Sequence, residues 1–126
     1  MQPVRHTTEL ADGATSVERV SHPDLAAEQA YVDGDPLPAA MARMVRDAHD
    51  RRAGEIAFEV ADTYQGCGVG TQLVELLLAH GRAAGIERVD ALVQPSNRAA
   101  LDLLRRVLGA SIVRVEDGEM MITAAV

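Results

Sequence analysis

The sequence predicts an α/β domain, a mixed sheet whose strands flank two helices. Three observations lead there. A strand-like run at residues 55–60 passes through a glycine loop, Gln65-Gly66-Cys67-Gly68-Val69-Gly70-Thr71, into a run with helical periodicity. Asp-Gly pairs at Asp12-Gly13, Asp33-Gly34 and Asp117-Gly118 separate strand-like segments, as tight hairpin turns with positive φ require. A further strand pattern and a capped helix follow Gly85.

In chain order, residues 7–10 and 15–20 form a hairpin about Asp12-Gly13. Residues 29–32, the turn Asp33-Gly34-Asp35-Pro36 and residues 39–46 form a second. Ala, Met and Arg in 39–46 are helix formers, so propensity alone favours a helix there. Residues 47–54 are polar and turn-rich and read as a loop before the 55–60 strand. Val69, Leu73, Leu76, Leu77, His80 and Ala84 recur at helical spacing, and Gly85 ends that helix. Residues 86–93 are a strand, Pro95-Ser96-Asn97 breaks it, and Asn97 caps a helix over 98–107. Residues 111–115 and 120–124 close the chain as a hairpin.

The 126 residues suit a single domain, 1–126. Hydrophobic residues make up 48% and charged ones 25%, ordinary for a globular protein, but aromatics are only 2%. The core must be built from Leu, Val, Ala and Met, and stacking platforms for single-stranded nucleic acid are nearly absent. A net charge of −7 argues against nucleic-acid partners and favours cationic ones such as amines. One cysteine cannot form an internal disulfide, and the four histidines have no metal-ligand spacing, so no metal is expected. The start, Met1-Gln2-Pro3-Val4-Arg5-His6, lacks an apolar core and no stretch is long enough to span a membrane, so a cytoplasmic location and no membrane partner are expected.

The glycine loop carries the chemistry. Glycines remove the Cβ atoms that would keep a ligand off the backbone, and their amides lead into the positive end of a helix dipole, where a pyrophosphate is stabilised. Gly70 is followed by Thr71 and no lysine, which excludes a nucleoside-triphosphate loop. Thr71 stands where a dinucleotide fingerprint needs its third glycine, and five residues separate the first glycine, Gly66, from the strand. Asp90 has the spacing of a ribose-binding acid but falls within the next strand pattern, a coincidence.

Gln65, Gly68 and Gly70 match Gln/Arg-x-x-Gly-x-Gly/Ala, the acyl-CoA loop of the GNAT N-acetyltransferases, which the chain resembles. Glu55-Ile56-Ala57-Phe58 is similar to the strand leading into that loop in protein-acetylating members. Asn97-Arg98-Ala99-Ala100-Leu101-Asp102-Leu103-Leu104 with Leu108-Gly109-Ala110 resembles the family's second motif. The resemblance implies a mostly antiparallel mixed sheet and acetyl-CoA as cosubstrate. It also implies strand character for 39–46. Family members usually carry two helices between the first and second strands, whereas here residues 21–28 leave room for at most one helical turn.

By the same resemblance, Glu55 is the general base that takes the proton of the acceptor amine. Glu59 shares its strand face, where two carboxylates could raise each other's pKa. A backbone amide near Glu59 or Val60, where the strand splays from its neighbour, would stabilise the oxyanion. Val60, Gln65, Gly66, Cys67, Gly68, Val69, Gly70 and Thr71 are expected to bind the cosubstrate, with Asn97, Arg98 and Leu104 from the second motif. Cys67 takes a slot often held by Arg or Lys, and Leu104 stands where a tyrosine commonly protonates the leaving thiolate. Tyr64 is a remote second acid, His80 a packed histidine and the Arg105-Arg106 pair a solvated helix end. The acceptor is a small-molecule or protein amine, a protein lysine among the candidates. The rival reading is a catalytically weak or inactive acyl-CoA-binding regulatory module; a nucleotide-binding domain is a third. Without the two helices one sheet face lacks a cover, and a homodimer through Leu25, Tyr31 and their neighbours is expected.

Overall fold

The computed structural model describes residues 3–126; Met1 and Gln2, part of the stretch read for an export signal, lie outside the described residues. Eight strands form one sheet in the order β1-β2-β3-β4-β5-β6-β8-β7. They are β1 (Val4–Glu9), β2 (Thr15–His22), β3 (Leu25–Val32), β4 (Ala40–Arg46), β5 (Ala53–Val60), β6 (Arg88–Val93), β7 (Ser111–Glu116) and β8 (Glu119–Ala125). Helix α1 (Val69–Ala83) joins β5 to β6, and α2 (Arg98–Val107) joins β6 to β7. Every neighbouring pair is antiparallel except β5 with β6, the one pair joined by a helical crossover. No helix among the described residues is long and apolar enough to cross a membrane.

Residues 39–46 are a strand, as the resemblance implied and helix propensity did not. Ala40, Ala42 and Met44 are buried while Met41, Arg43 and Val45 are exposed, the two-residue alternation of a sheet with one covered face. Residues 21–28 stay within the limit of one helical turn set for them. No helical turn forms there: β2 runs to His22, Pro23 and Asp24 make the turn, and β3 begins at Leu25. Arg46 on β4 fastens this corner, its backbone N–H donating to the Asp24 carbonyl at 2.8 Å and its Nε to the Pro23 carbonyl at 3.1 Å. A strand wins because Ala26, Glu28 and Ala30 alternate inward.

Both helices contribute to one core, on one side of the sheet. Leu73, Leu77 and Leu78 of α1 and Leu103, Leu104 and Leu108 from α2 and its C-terminal end cluster with Ala42, Met44, Ile56, Ala91 and Ile122. Burial of each such leucine or isoleucine contributes about 1.5–3 kcal/mol. On the other side no element among the described residues covers the strands. Leu25, Met41, Val45, Glu55, Ala57, Glu59 and Leu92 are all exposed there.

One charge sits inside. Glu28 faces the helices, is 1% exposed, and lies opposite Arg19 in the β2–β3 register. Both of its carboxylate oxygens and the Arg19 Nε are buried without a hydrogen-bond partner among the described residues. Burial pushes the Glu28 carboxyl up from 4.5 to about 7, with the Arg19 charge opposing. The folded chain therefore holds this proton more tightly than the unfolded one. The resulting stability is full below about pH 4.5 and is lost as pH rises through about 7. Removing the charge should reverse that loss. Glu28→Gln is expected to unfold at a higher temperature than the parent at about pH 8, by as much as about 3 kcal/mol, with the gap closing near pH 4.5. Thermal melts that show the same gap at both pH values would refute the buried charge.

Candidate active site

The site begins where two strands part. The parallel ladder of β5 and β6 covers only Ala53↔Arg88 to Ile56↔Ala91, whereas β5 stays paired with β4 as far as Val60↔Ala40. Beyond Ile56 a gap opens in the middle of the sheet. Asp47 N–H donates to the Ala53 carbonyl and Ala61 N–H to the Ala39 carbonyl, each at 2.9 Å. Odd-numbered β5 residues thus turn their backbone groups toward β4, and even-numbered ones turn toward β6. The amides of Phe58 and Val60 point into the gap; that of Glu59, the other residue expected to supply an oxyanion donor, points to β4.

A 3₁₀ turn, Asp62–Tyr64, carries the chain from β5 to the glycine loop. Gly66 and Gly68 have φ of 80° and 89°, values that a side chain would strain, and Gly68 is the N-cap of α1. The first amide to bond back is that of Gln72, to the Gly68 carbonyl at 3.0 Å. The amides of Val69, Gly70 and Thr71 are left with the positive end of the helix dipole, and no acidic residue occupies the first turn. Gln65 ties this loop to the strand, its Nε2 donating to the Val60 carbonyl at 3.3 Å and to Asp62 Oδ1 at 3.2 Å. Gly70 has a different task. A Cβ there would come within 2.5 Å of Val60 Cγ2 and 3.0 Å of Leu103 Cδ1, so the glycine lets α1, β5 and α2 meet.

A cleft of about 430 Å³ runs from the gap along the loop to α2. Of the residues expected at the site, Glu59, Val60, Gln65, Gly66, Gly68, Gly70, Thr71 and Asn97 line it. Asn97 also caps α2, its Oδ1 accepting from the Ala100 N–H at 3.1 Å. Five expected residues lie elsewhere. Val69 and Leu104 are core residues, 6% and 1% exposed. Leu104 follows Leu103 by one residue, about 100° around the helix, which turns it inward while Leu103 faces the cleft. The Cys67 thiol turns back to donate to the Tyr64 carbonyl at 2.8 Å. Arg98 is exposed away from the cleft, and Glu55 lies beside the closed part of the β5–β6 ladder.

Glu55 and Glu59 share the helix-free face, as strand alternation required, but they do not adjoin. Ala57 stands between them, and Arg43 of β4 is its register partner. A positive side chain therefore lies at the level midway between the two carboxylates.

Other residues complete the lining. Phe58, Asp62, Tyr64, Ala99, Ala100, Asp102, Leu103 and Arg106 all contribute, and Arg106 is the only cation among them. Helical spacing of 99, 103 and 106 puts the arginine on the face that meets the cleft, a signal present in the sequence. Asp102 pairs instead with Arg105 at 3.6 Å. The Tyr64 hydroxyl donates to Asp35 Oδ2 at 2.7 Å, and this bond holds the phenol above its usual range. His80 is half-buried on α1, and burial, with Arg19 and His6 adding to it, lowers its pKa.

The gap in the sheet and the amide-lined loop thus form one continuous opening in a mixed α/β domain. The chain belongs to the acetyltransferase (GNAT) family, whose model matches residues 5–110. Acetyltransferase Pat of Mycolicibacterium smegmatis is 39% identical over 82 residues, 65% of this chain but only 24% of that protein. The chain thus matches about a quarter of the length of this curated relative. Among solved structures, the GNAT domain of S. lividans PAT superposes with a TM-score of 0.78 at 20% identity, covering 97% of each chain. The fold of yncA from Salmonella typhimurium, solved with its cofactor acetyl-CoA, matches at a TM-score of 0.65 and 17% identity over 82% of this chain and 65% of that one.

The clash at Gly70 makes a test of its role. Gly70→Ala is expected to lower stability by about 1–3 kcal/mol through overpacking, while Gly66→Ala, with nothing within 4 Å of its Cβ, loses only the positive-φ strain, about 1 kcal/mol. Denaturant melts in which the two variants rank the other way would place Gly70 in the loop's conformation rather than in the packing.

Proposed function

We propose that this domain transfers an acetyl group from acetyl-CoA to a primary amine, with a protein lysine as the acceptor. The observation that carries this reading is the continuity of loop and gap. Gly66, Gly68, Gly70 and Thr71 line one end of the cleft, and the Phe58 and Val60 amides face the other. Bound acetyl-CoA would supply an activated acetyl thioester. The loop amides, Thr71 and Arg106 hold anionic phosphate oxygens, and the residues along β5 take an extended arm. Amides aimed into the gap stabilise negative charge on the carbonyl oxygen under attack. The name of Pat and the acetyl-CoA bound by yncA support this reading.

The amine approaches from the helix-free face, because Glu55 and Glu59 project there on either side of Ala57, beside the point where the ladder ends. Glu55 takes the proton that a lysine ammonium, with a pKa near 10, must lose before it attacks. Glu59 borders both the cleft and the groove on the opposite face, and it orients the amine. We read this face as the acceptor's side and not as a dimer interface, since a second copy packed there would cover both carboxylates. Thiolate departure needs little assistance, because a thiol with a pKa near 8.5 is a competent leaving group.

A second reading, an acyl-CoA-binding module without turnover, is favoured by one observation: Leu104 is buried and the Tyr64 proton is engaged by Asp35. CoA release with a panel of amines separates the two. Glu55→Gln is expected to bind acetyl-CoA with parental affinity and to turn over about a hundredfold more slowly. Parental turnover would move the base to Glu59 or to water. In calorimetry, Arg106→Ala should weaken acetyl-CoA binding by roughly threefold to tenfold, the worth of one exposed charge contact, and Arg98→Ala should leave it unchanged. The opposite ranking would reverse the assignment of the two arginines.

A further inference from the structure

On the helix-free face a groove of about 350 Å³ crosses β3, β4 and β5. Its floor is the backbone of Glu28, Ala42 and Phe58, whose side chains turn to the other side. Ala27 and Ala57 leave it open. Phe58 and Glu59 border both this groove and the cleft. One wall is ordered: the Tyr31 hydroxyl donates to Gln29 Oε1 at 2.7 Å, and Gln29 Nε2 lies 3.5 Å from Met41 Sδ.

Charge alternates along β5 on this face, at right angles to the groove, which it meets at Glu59 and Arg43. Glu59, then Arg43 at the level of Ala57, then Glu55 succeed one another in steps of two residues, roughly 7 Å each. The ion pairs among the described residues involve none of the three. An extended peptide repeats its side chains on one face every two residues, at the same interval. Building on the acyltransferase reading, we propose that this face selects an extended acceptor segment with alternating charge, lying along β5. The target lysine lies against one carboxylate, an acidic residue two positions away meets Arg43, and a basic residue four positions away meets the other carboxylate. Arg43 is then a specificity residue, outside the chemistry itself. A bare alkylamine lacks two of the three contacts and a uniformly basic segment meets repulsion at Arg43.

Two capped peptides of identical composition test this, Arg-Ala-Glu-Ala-Lys-Ala-Glu-Ala-Arg and Glu-Ala-Arg-Ala-Lys-Ala-Arg-Ala-Glu. The lysine is central in both, so either chain direction can be used. Calorimetry on the full chain with CoA present reads docking independently of turnover. The first peptide is expected to bind about tenfold more tightly at low salt, and the preference should shrink as salt screens it. Arg43→Glu should erase the difference between the two peptides, each then making two favourable contacts and one unfavourable, and leave acetyl-CoA affinity intact. Equal affinities for the parent, no binding of either peptide, or an undiminished preference in Arg43→Glu would overturn the proposal. CoA release with the same peptides reports on the acyltransferase reading separately, because docking with the expected preference but no release would count against catalysis alone.

Discussion

A single parallel strand pair that stops hydrogen bonding halfway is the constraint on which the rest of the site depends. Antiparallel hairpins on both flanks keep β5 and β6 in place, so their parting beyond Ile56 opens a gap without unravelling the sheet. Backbone amides cannot be left buried and unpaired at no cost. A ligand that accepts hydrogen bonds from Phe58 and Val60 completes the edge that β6 abandons. The same crossover that makes the pair parallel places the start of α1 at the mouth of the gap. Opening and helix dipole are two results of one topology.

Packing around the loop is organised to keep that alignment. Gln65 fixes the loop to the strand end, and the absence of a side chain at Gly70 brings Val60 and Leu103 into contact across α1. The loop turns on glycines with positive φ, so side-chain identity at Cys67 matters less to its shape than the glycines around it. Arg106 supplies positive charge from α2 at a place where the loop has none. Asp62 and Asp102 also border the cleft, and Asp102 is turned aside by its pairing with Arg105.

Much of this was legible in the sequence because it depends on local signals. Asp12-Gly13, Asp33-Gly34 and Asp117-Gly118 marked hairpins that exist, and Asn97 caps the helix it was assigned. What stayed hidden was less local. Residues 21–28 form strand because Ala26, Glu28 and Ala30 alternate against a helix distant in sequence, and no turn glycine announced Pro23-Asp24. Leu104 and Leu103 differ only by a step around α2, and a motif match cannot say which one faces the cleft. Arg98 stood inside the motif and Arg106 outside it, yet helical spacing, not motif membership, decides which arginine reaches the lining. The charge on Arg43 between Glu55 and Glu59 required the β4–β5 register, which no single strand encodes.

The missing helices link these points. A sheet face that stays bare would be a liability if it were uniformly apolar. Here Leu25, Met41, Val45 and Leu92 are interspersed with Arg43, Glu55 and Glu59, and the two edge strands β1 and β7 are exposed throughout. Mixed charge keeps such a surface solvated while leaving it selective toward a partner of opposite pattern. The buried side behaves in the contrary way. Glu28 is enclosed by the apolar packing of α1, which raises its pKa, whereas the carboxylates on the bare face remain in water. One sheet thus holds acidic side chains in two dielectric settings. Only those on the bare face are open to solvent, because the other is buried on the side of the sheet that the helices cover.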